Sequence, residues 1–177
     1  RLARNLLEAA ASVSPAVQGV CYVGDAEGRA LLDRLGAALV PASNLLVVGS
    51  GDGVPSPAEL DRFAAAGGTV LFLPRSAEEL AAFGLRAAAA EIARADVPDD
   101  PLFRGVGPGL LRWRDALRVT ALAEEGQPAG SAVSGDGIFL VRNVGKGRQI
   151  FVQVDPFALD ARHADDAPEH EAVRLSM

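Results

Sequence analysis

Two rhythms of apolar and polar positions alternate along the chain. Residues 2–11 (LARNLLEAAA) space their apolar side chains as a helix does. Residues 17–23 (VQGVCYV) form a short, partly β-branched apolar run that stops at Gly24-Asp25. From about Glu27 to Leu39, the residues Leu31, Leu32, Leu35 and Leu39 fall on one helical face. Residues 44–48 (NLLVV) are a continuous apolar run closed by Gly49-Ser50-Gly51-Asp52-Gly53, the pattern of a strand covered on both faces. Ser56-Pro57-Ala58-Glu59 opens the next helix, with serine as N-cap, proline in the first turn and Glu59 placed for a capping box. That helix ends at Gly67-Gly68. Residues 69–73 (TVLFL) predict a third buried strand, which stops at Pro74, and Ser76 then caps a helix through Glu78, Glu79 and Leu80.

After Gly84 the rhythm breaks. Leu85 to Arg94 is alanine-rich and reads as helix or as a mixed segment. Asp96 to Gly109 holds three prolines and three glycines and predicts an ordered loop. Leu117 to Ala123 alternates as a strand does, and the runs 138–144 and 149–154 predict a hairpin around Gly145-Lys146-Gly147. A polar, acidic tail begins at Ala161, with a closing helix at 168–175. Three strand–helix units in series imply right-handed crossovers and a parallel sheet covered on both faces. The pattern therefore predicts a single α/β domain over 1–177. Its architecture is a three-layer α/β/α sandwich, flavodoxin-like or amidotransferase-like, with a mainly parallel sheet and an antiparallel hairpin at one edge.

Composition narrows the function. The 177 residues are 49% hydrophobic and 23% charged, which supports a packed core. Seventeen basic and twenty-three acidic residues give a formal charge of −6, which argues against a nucleic-acid or anionic-membrane surface. No apolar run is long enough to span a bilayer, and no signal peptide is legible. The single cysteine, Cys21, excludes an internal disulfide, and the two histidines, His163 and His170, both lie in the polar tail. The chain begins at Arg1 in helical character and reads as a fragment of a longer protein, whose compartment the piece does not reveal. Arginine in place of lysine, and abundant alanine, suggest a GC-rich bacterial source.

Candidate chemistry is sparse. Gly145-Lys146-Gly147 contains the only lysine, yet it opens a strand, where a phosphate loop would open a helix, so a structural turn is the favoured reading. Gly49 to Gly53 follows a buried strand and precedes a capped helix, which places Ser50, Gly51 and Asp52 at the carboxyl edge of the sheet, where open α/β folds bind ligands. The pattern departs from GxGxxG, so no dinucleotide or other cofactor is expected. The turn after the third strand reads Leu73-Pro74-Arg75-Ser76. Ser76 has no histidine in the sheet-forming region to activate it and reads as a helix cap. Cys21 reads as a small core residue. Trp113, between Arg112 and Arg114, could stack on a sugar face or on a partner, and a core or domain-interface anchor is the commoner role of a lone tryptophan. Asp99-Asp100 and Asp165-Asp166 are adjacent in loops and diverge in direction, which makes them poor acid–base pairs.

The order LLVVGSGDG, AAGGTVLFLP, DDPLFRGVGPGLLRWR, VGKGRQIFVQVDP resembles a class I glutamine amidotransferase-like domain. Such domains lie near the C-terminal end of large bacterial glycoside hydrolases of the β-galactosidase and β-mannosidase type, glycoside hydrolase family two and its relatives. The residues that carry the likeness are Pro101 to Gly105, Leu111 to Arg114 and Gly145 to Pro156, and it covers roughly residues 17–160. The amidotransferase triad is missing: no cysteine stands at the elbow after the third strand, and His170-Glu171-Ala172 departs from the His-x-Glu pattern. The resemblance implies a non-catalytic accessory domain in a carbohydrate-active hydrolase, packing on other domains of the parent chain, joining copies or walling a carbohydrate cleft. Its contact surface would be the 96–114 segment with Trp113. The rival readings are a small-ligand module at the carboxyl edge, with Ser50, Gly51, Asp52 and Arg75 as binding residues, and an active hydrolase or amidase using Ser50, Ser76 or Cys21. No metal is expected.

Overall fold

A computed structural model describes residues 19–95, 112–134 and 136–155, with residues 112–115 described by backbone alone. The expected helices at 2–11 and 168–175, the loop at 96–109, both histidines and the paired aspartates lie outside these residues. In chain order the elements are β1 (Cys21–Val23), α1 (Ala26–Arg34), β2 (Leu45–Val48), α2 (Pro57–Ala65), β3 (Thr69–Phe72), α3 (Ala77–Ala82), β4 (Ala87–Arg94), β5 (Arg112–Leu122), β6 (Ser131–Ser134), β7 (Phe139–Val144) and β8 (Gly147–Val152).

The six-stranded sheet has the order β1-β2-β3-β8-β7-β6. Strands β1, β2, β3 and β8 run parallel, and β7 and β6 complete it in antiparallel fashion. This is the mixed α/β sheet that the continuous apolar runs imply. Alternate residues divide between two cores. Leu46, Val48, Val70, Phe72 and Phe151 pack with Leu60 and Ala64 of α2 and Leu80 of α3. Leu45, Val47, Leu71, Ile150 and Val152 pack with Leu32 of α1 and with Ile92, Leu117 and Val119. The last three belong to a separate antiparallel ribbon, β4–β5. Helices α2 and α3 thus meet one face, and α1 with the ribbon meets the other.

The ribbon corrects the helical option for Leu85 to Arg94. Alanine favours helices, yet Ala87 to Ile92 pairs residue by residue with Leu122 to Leu117. Pairing partners outweigh a weak intrinsic preference. The first helix is also shorter than its apolar spacing suggests. Gly36 takes φ +73, its N–H donates to Asp33 O, and Ala37 N–H donates to Leu32 O, which closes the helix in a Schellman motif. Leu39 consequently leaves the helix and bridges Val20 beside β1.

The Gly-Lys-Gly turn joins β7 to β8 with Val144 opposite Gly147. Gly145 has φ +59 while Lys146 does not have a positive φ, the pattern of a type II′ turn. The turn docks on the carboxyl end of α2: Lys146 N–H donates to Ala65 O at 3.3 Å and Arg148 N–H to Gly68 O at 3.2 Å. A lysine there faces the negative pole of the helix. This is the end opposite to the one that attracts phosphate, so the turn is structural.

Candidate functional site

The carboxyl ends of β1, β2, β3 and β8 meet along one rim, as expected for a parallel sheet. After β1, Asp25 caps α1 by accepting from Gly28 N–H at 2.8 Å. Tyr22, half-buried at the end of the same strand, donates its hydroxyl toward Asp25 O at 3.1 Å and Asp25 Oδ1 at 3.4 Å. Burial, with the neighbouring Asp25 carboxylate reinforcing it, pushes the Tyr22 phenol up to about 12. After β2, Gly49 N–H donates to Val23 O, which ties the second loop to the first.

A cleft of about 160 Å³ opens on this rim, lined by Asp25, Glu27, Gly28, Ser50, Leu73, Pro74 and Asp155. Three carboxylates face it, so it presents hydrogen-bond acceptors and a negative field. Such a lining suits hydroxyl groups or an amine and repels phosphate. Its volume is below the ~300 Å³ at which pockets for drug-sized ligands begin. Among the described residues no cluster of three or more side chains is arranged to hold a metal ion. No helix among them is long and apolar enough to cross a membrane.

The expected binding residues separate. Ser50 lines the cleft. Gly51 lies close behind it, packed beside the backbone of Asp25. Asp52 is exposed in the same loop and does not line the cleft. Arg112 and Trp113 belong to the backbone of β5, in the ribbon, and their side chains lie outside the description.

The structure places Arg75 inside the fold, in the turn after β3. Only 6% exposed, it turns its guanidinium inward. Nη2 donates to Val48 O at 3.1 Å and also to Gly49 O, while Nη1 bonds Glu79 Oε1 at 2.9 Å. The Arg75 N–H and C=O are both satisfied by the side chain of buried Gln153. Arg75 therefore clamps the end of β2, the start of α3 and the end of β8. Its two terminal nitrogens bond inside the fold, and its buried Nε has no hydrogen-bond partner among the described residues.

The turn after β3 is where an amidotransferase-like fold would carry its nucleophile. Ser76 occupies the N-cap of α3 and accepts from Glu79 N–H at 3.2 Å, while Glu79 Oε2 accepts from Ser76 N–H. Burial pushes the Glu79 carboxyl up, but the Ser76 N–H, the Arg75 guanidinium and the Ser76 hydroxyl outweigh it and hold it below the usual carboxylate range. A nucleophile elbow holds its residue in a strained backbone conformation. Among the described residues the sole non-glycine with positive φ is Asp136, between β6 and β7. Cys21, half-buried in β1, points its thiol at Pro41 O at 3.7 Å. The carboxylate beside Ser76 is Glu79, which is engaged in the capping box and paired with the Arg75 guanidinium, and the contact of the Cys21 thiol is the Pro41 carbonyl.

Sequence reasoning passed over Tyr22, Asp25, Gln153 and Asp155 as members of this rim. One signal was present: Gly28 lies in the first turn of α1, where glycine costs ~1 kcal/mol against alanine unless a close neighbour requires it. That neighbour is the Tyr22 hydroxyl. Comparison of the chain with known protein families, with curated proteins and with solved structures finds no match in any of the three.

Proposed function

We propose that this chain is a non-catalytic accessory domain of a carbohydrate-active hydrolase, of the kind its motifs resemble. The observation that carries the reading is the position of Arg75. Where an amidotransferase-like fold places a reactive thiol, this chain has a buried arginine bonded to the carbonyls that end β2. On this reading the mixed sheet with α2 and α3 is the amidotransferase-like part of a three-layer sandwich. The β4–β5 ribbon is an addition to the other face, and Trp113, on β5, anchors a neighbouring domain.

The full-length gene product tests this. It should contain an upstream barrel with paired glutamates and hydrolyse aryl β-galactosides or β-mannosides. Trp113→Ala in that protein should weaken the contact of this domain with its neighbours by more than the ~0.5 kcal/mol of an ordinary surface change. A gene product with no glycosidase barrel would overturn the proposal.

One observation favours a second reading, a small-ligand module. The cleft brings Asp25, Ser50 and Asp155 together at the carboxyl rim, where α/β sheets bind their ligands. A ligand held there would be small, and neutral or cationic. Saturable binding of a monosaccharide, abolished by Ser50→Trp, would favour this reading over the first.

A further inference from the structure

We propose that Tyr22 is a built-in occupant of the crevice between the ends of β1 and β2, a hydroxyl pocket that the chain keeps closed with its own side chain. Three glycines from three segments surround the Tyr22 hydroxyl: Gly24 after β1, Gly28 in α1 and Gly49 after β2. A Cβ at any of them would collide with that oxygen. Converging glycines at a strand–helix turn are how α/β folds bring backbone close to a ligand. Here the approaching group is the phenol of the chain itself.

The pocket has a definite chemistry. The helix N–H that could have met an anion, Gly28 N–H, is already bonded to Asp25 Oδ1. Asp25 offers acceptors, which the Tyr22 hydroxyl fills. The pocket thus selects a neutral hydroxyl donor and rejects phosphate, and Asp25 and Gly28 are shared with the adjoining cleft. Any ligand that reached the crevice from that cleft would have to displace Tyr22. The inference stands independently of the accessory-domain reading.

Tyr22 is the only tyrosine, so its ring resonances report the crevice alone. In the 177-residue chain, neither ADP nor inorganic phosphate at millimolar concentration should move them. In Tyr22→Gly, p-cresol should bind and raise the melting temperature, about tenfold more tightly than toluene, because the phenol regains the hydrogen bonding to Asp25 O and Oδ1. Movement of the wild-type ring by ADP or phosphate would overturn the proposal. So would a folded Tyr22→Gly that ignores p-cresol or takes toluene equally well. If Tyr22→Gly does not fold, Tyr22→Phe decides: it should keep the fold, remain silent to ADP and phosphate, and lose stability. Unchanged stability in Tyr22→Phe would show that the hydroxyl is not held, and the proposal would fail.

Discussion

Gln153 and Arg75 exchange two hydrogen bonds: Arg75 N–H donates to Gln153 Oε1 at 3.0 Å, and Gln153 Nε2 donates to Arg75 O at 3.0 Å. The side-chain amide behaves as one more residue of a neighbouring strand, just past the last paired residues of β3 and β8. Its Nε2 also reaches Thr120 O at 3.0 Å, which ties the ribbon to the sheet. The same exchange occurs between Gln127 and Arg86 on the surface, at 3.1 and 2.8 Å.

These two pairs differ mainly in burial, which makes them a controlled comparison. Gln153→Leu strands buried backbone groups of Arg75 and Thr120 away from water and should cost about 2–4 kcal/mol in urea unfolding. Gln127→Leu leaves its partners able to bond water and should cost no more than ~1 kcal/mol. Equal costs would mean that the buried exchange contributes nothing beyond the exposed one.

The Gly145-Lys146-Gly147 turn gives a second comparison. A Cβ on Gly147 would strike the carbonyl oxygens of Gly68 and Ala64, both backbone atoms. Gly147→Ala should therefore destabilise by at least ~3 kcal/mol. Gly53 has φ +83 but nothing within 4 Å of its Cβ position. Gly53→Ala should cost only the backbone term of ~1 kcal/mol. Urea midpoints of the two variants, measured side by side, check the difference.

Tyr22 should titrate alone and late. Its phenol lies at about 12 in the folded chain against 10.0 ordinarily. The raised value means that the folded state holds the proton more tightly than the unfolded state does. The stabilisation is complete below pH 10 and is lost as pH rises toward 12. Absorbance near 295 nm should show a single midpoint well above 10, returning to the ordinary value in denaturant. A native midpoint near 10 would contradict the burial of the phenol beside the Asp25 carboxylate.

Much of this fold was legible because the decisive signals were local. Continuous runs such as LLVV and TVLF can be buried on both faces only in a covered sheet, and Ser56 and Ser76 each bring their own glutamate to close a helix. What escaped depended on distant partners. Ala87 to Arg94 becomes a strand because β5 lies beside it. Ser131–Ser134 is short and half polar, and only β7 makes it a strand. The rim itself was predicted from Gly49 to Gly53 and Ser50 does line its cleft, but Tyr22, Asp25 and Asp155 were not foreseen there. The inward bonds of Arg75 were not legible because its partners, Val48 O and Gly49 O, lie 27 and 26 residues away. Tyr22 looks like an ordinary strand aromatic until three glycines are found around its hydroxyl.

The central claim is that the strand tips of this sheet hold structure in place of a reacting couple. Its most direct test is hydrolysis by the purified 177-residue chain of glutamine, followed by ammonia release, and of aryl esters and aryl glycosides. Release at the buffer rate for every substrate, unchanged by Ser50→Ala, Ser76→Ala or Cys21→Ala, is the expected result. Turnover that any one of those three substitutions abolishes would contradict it.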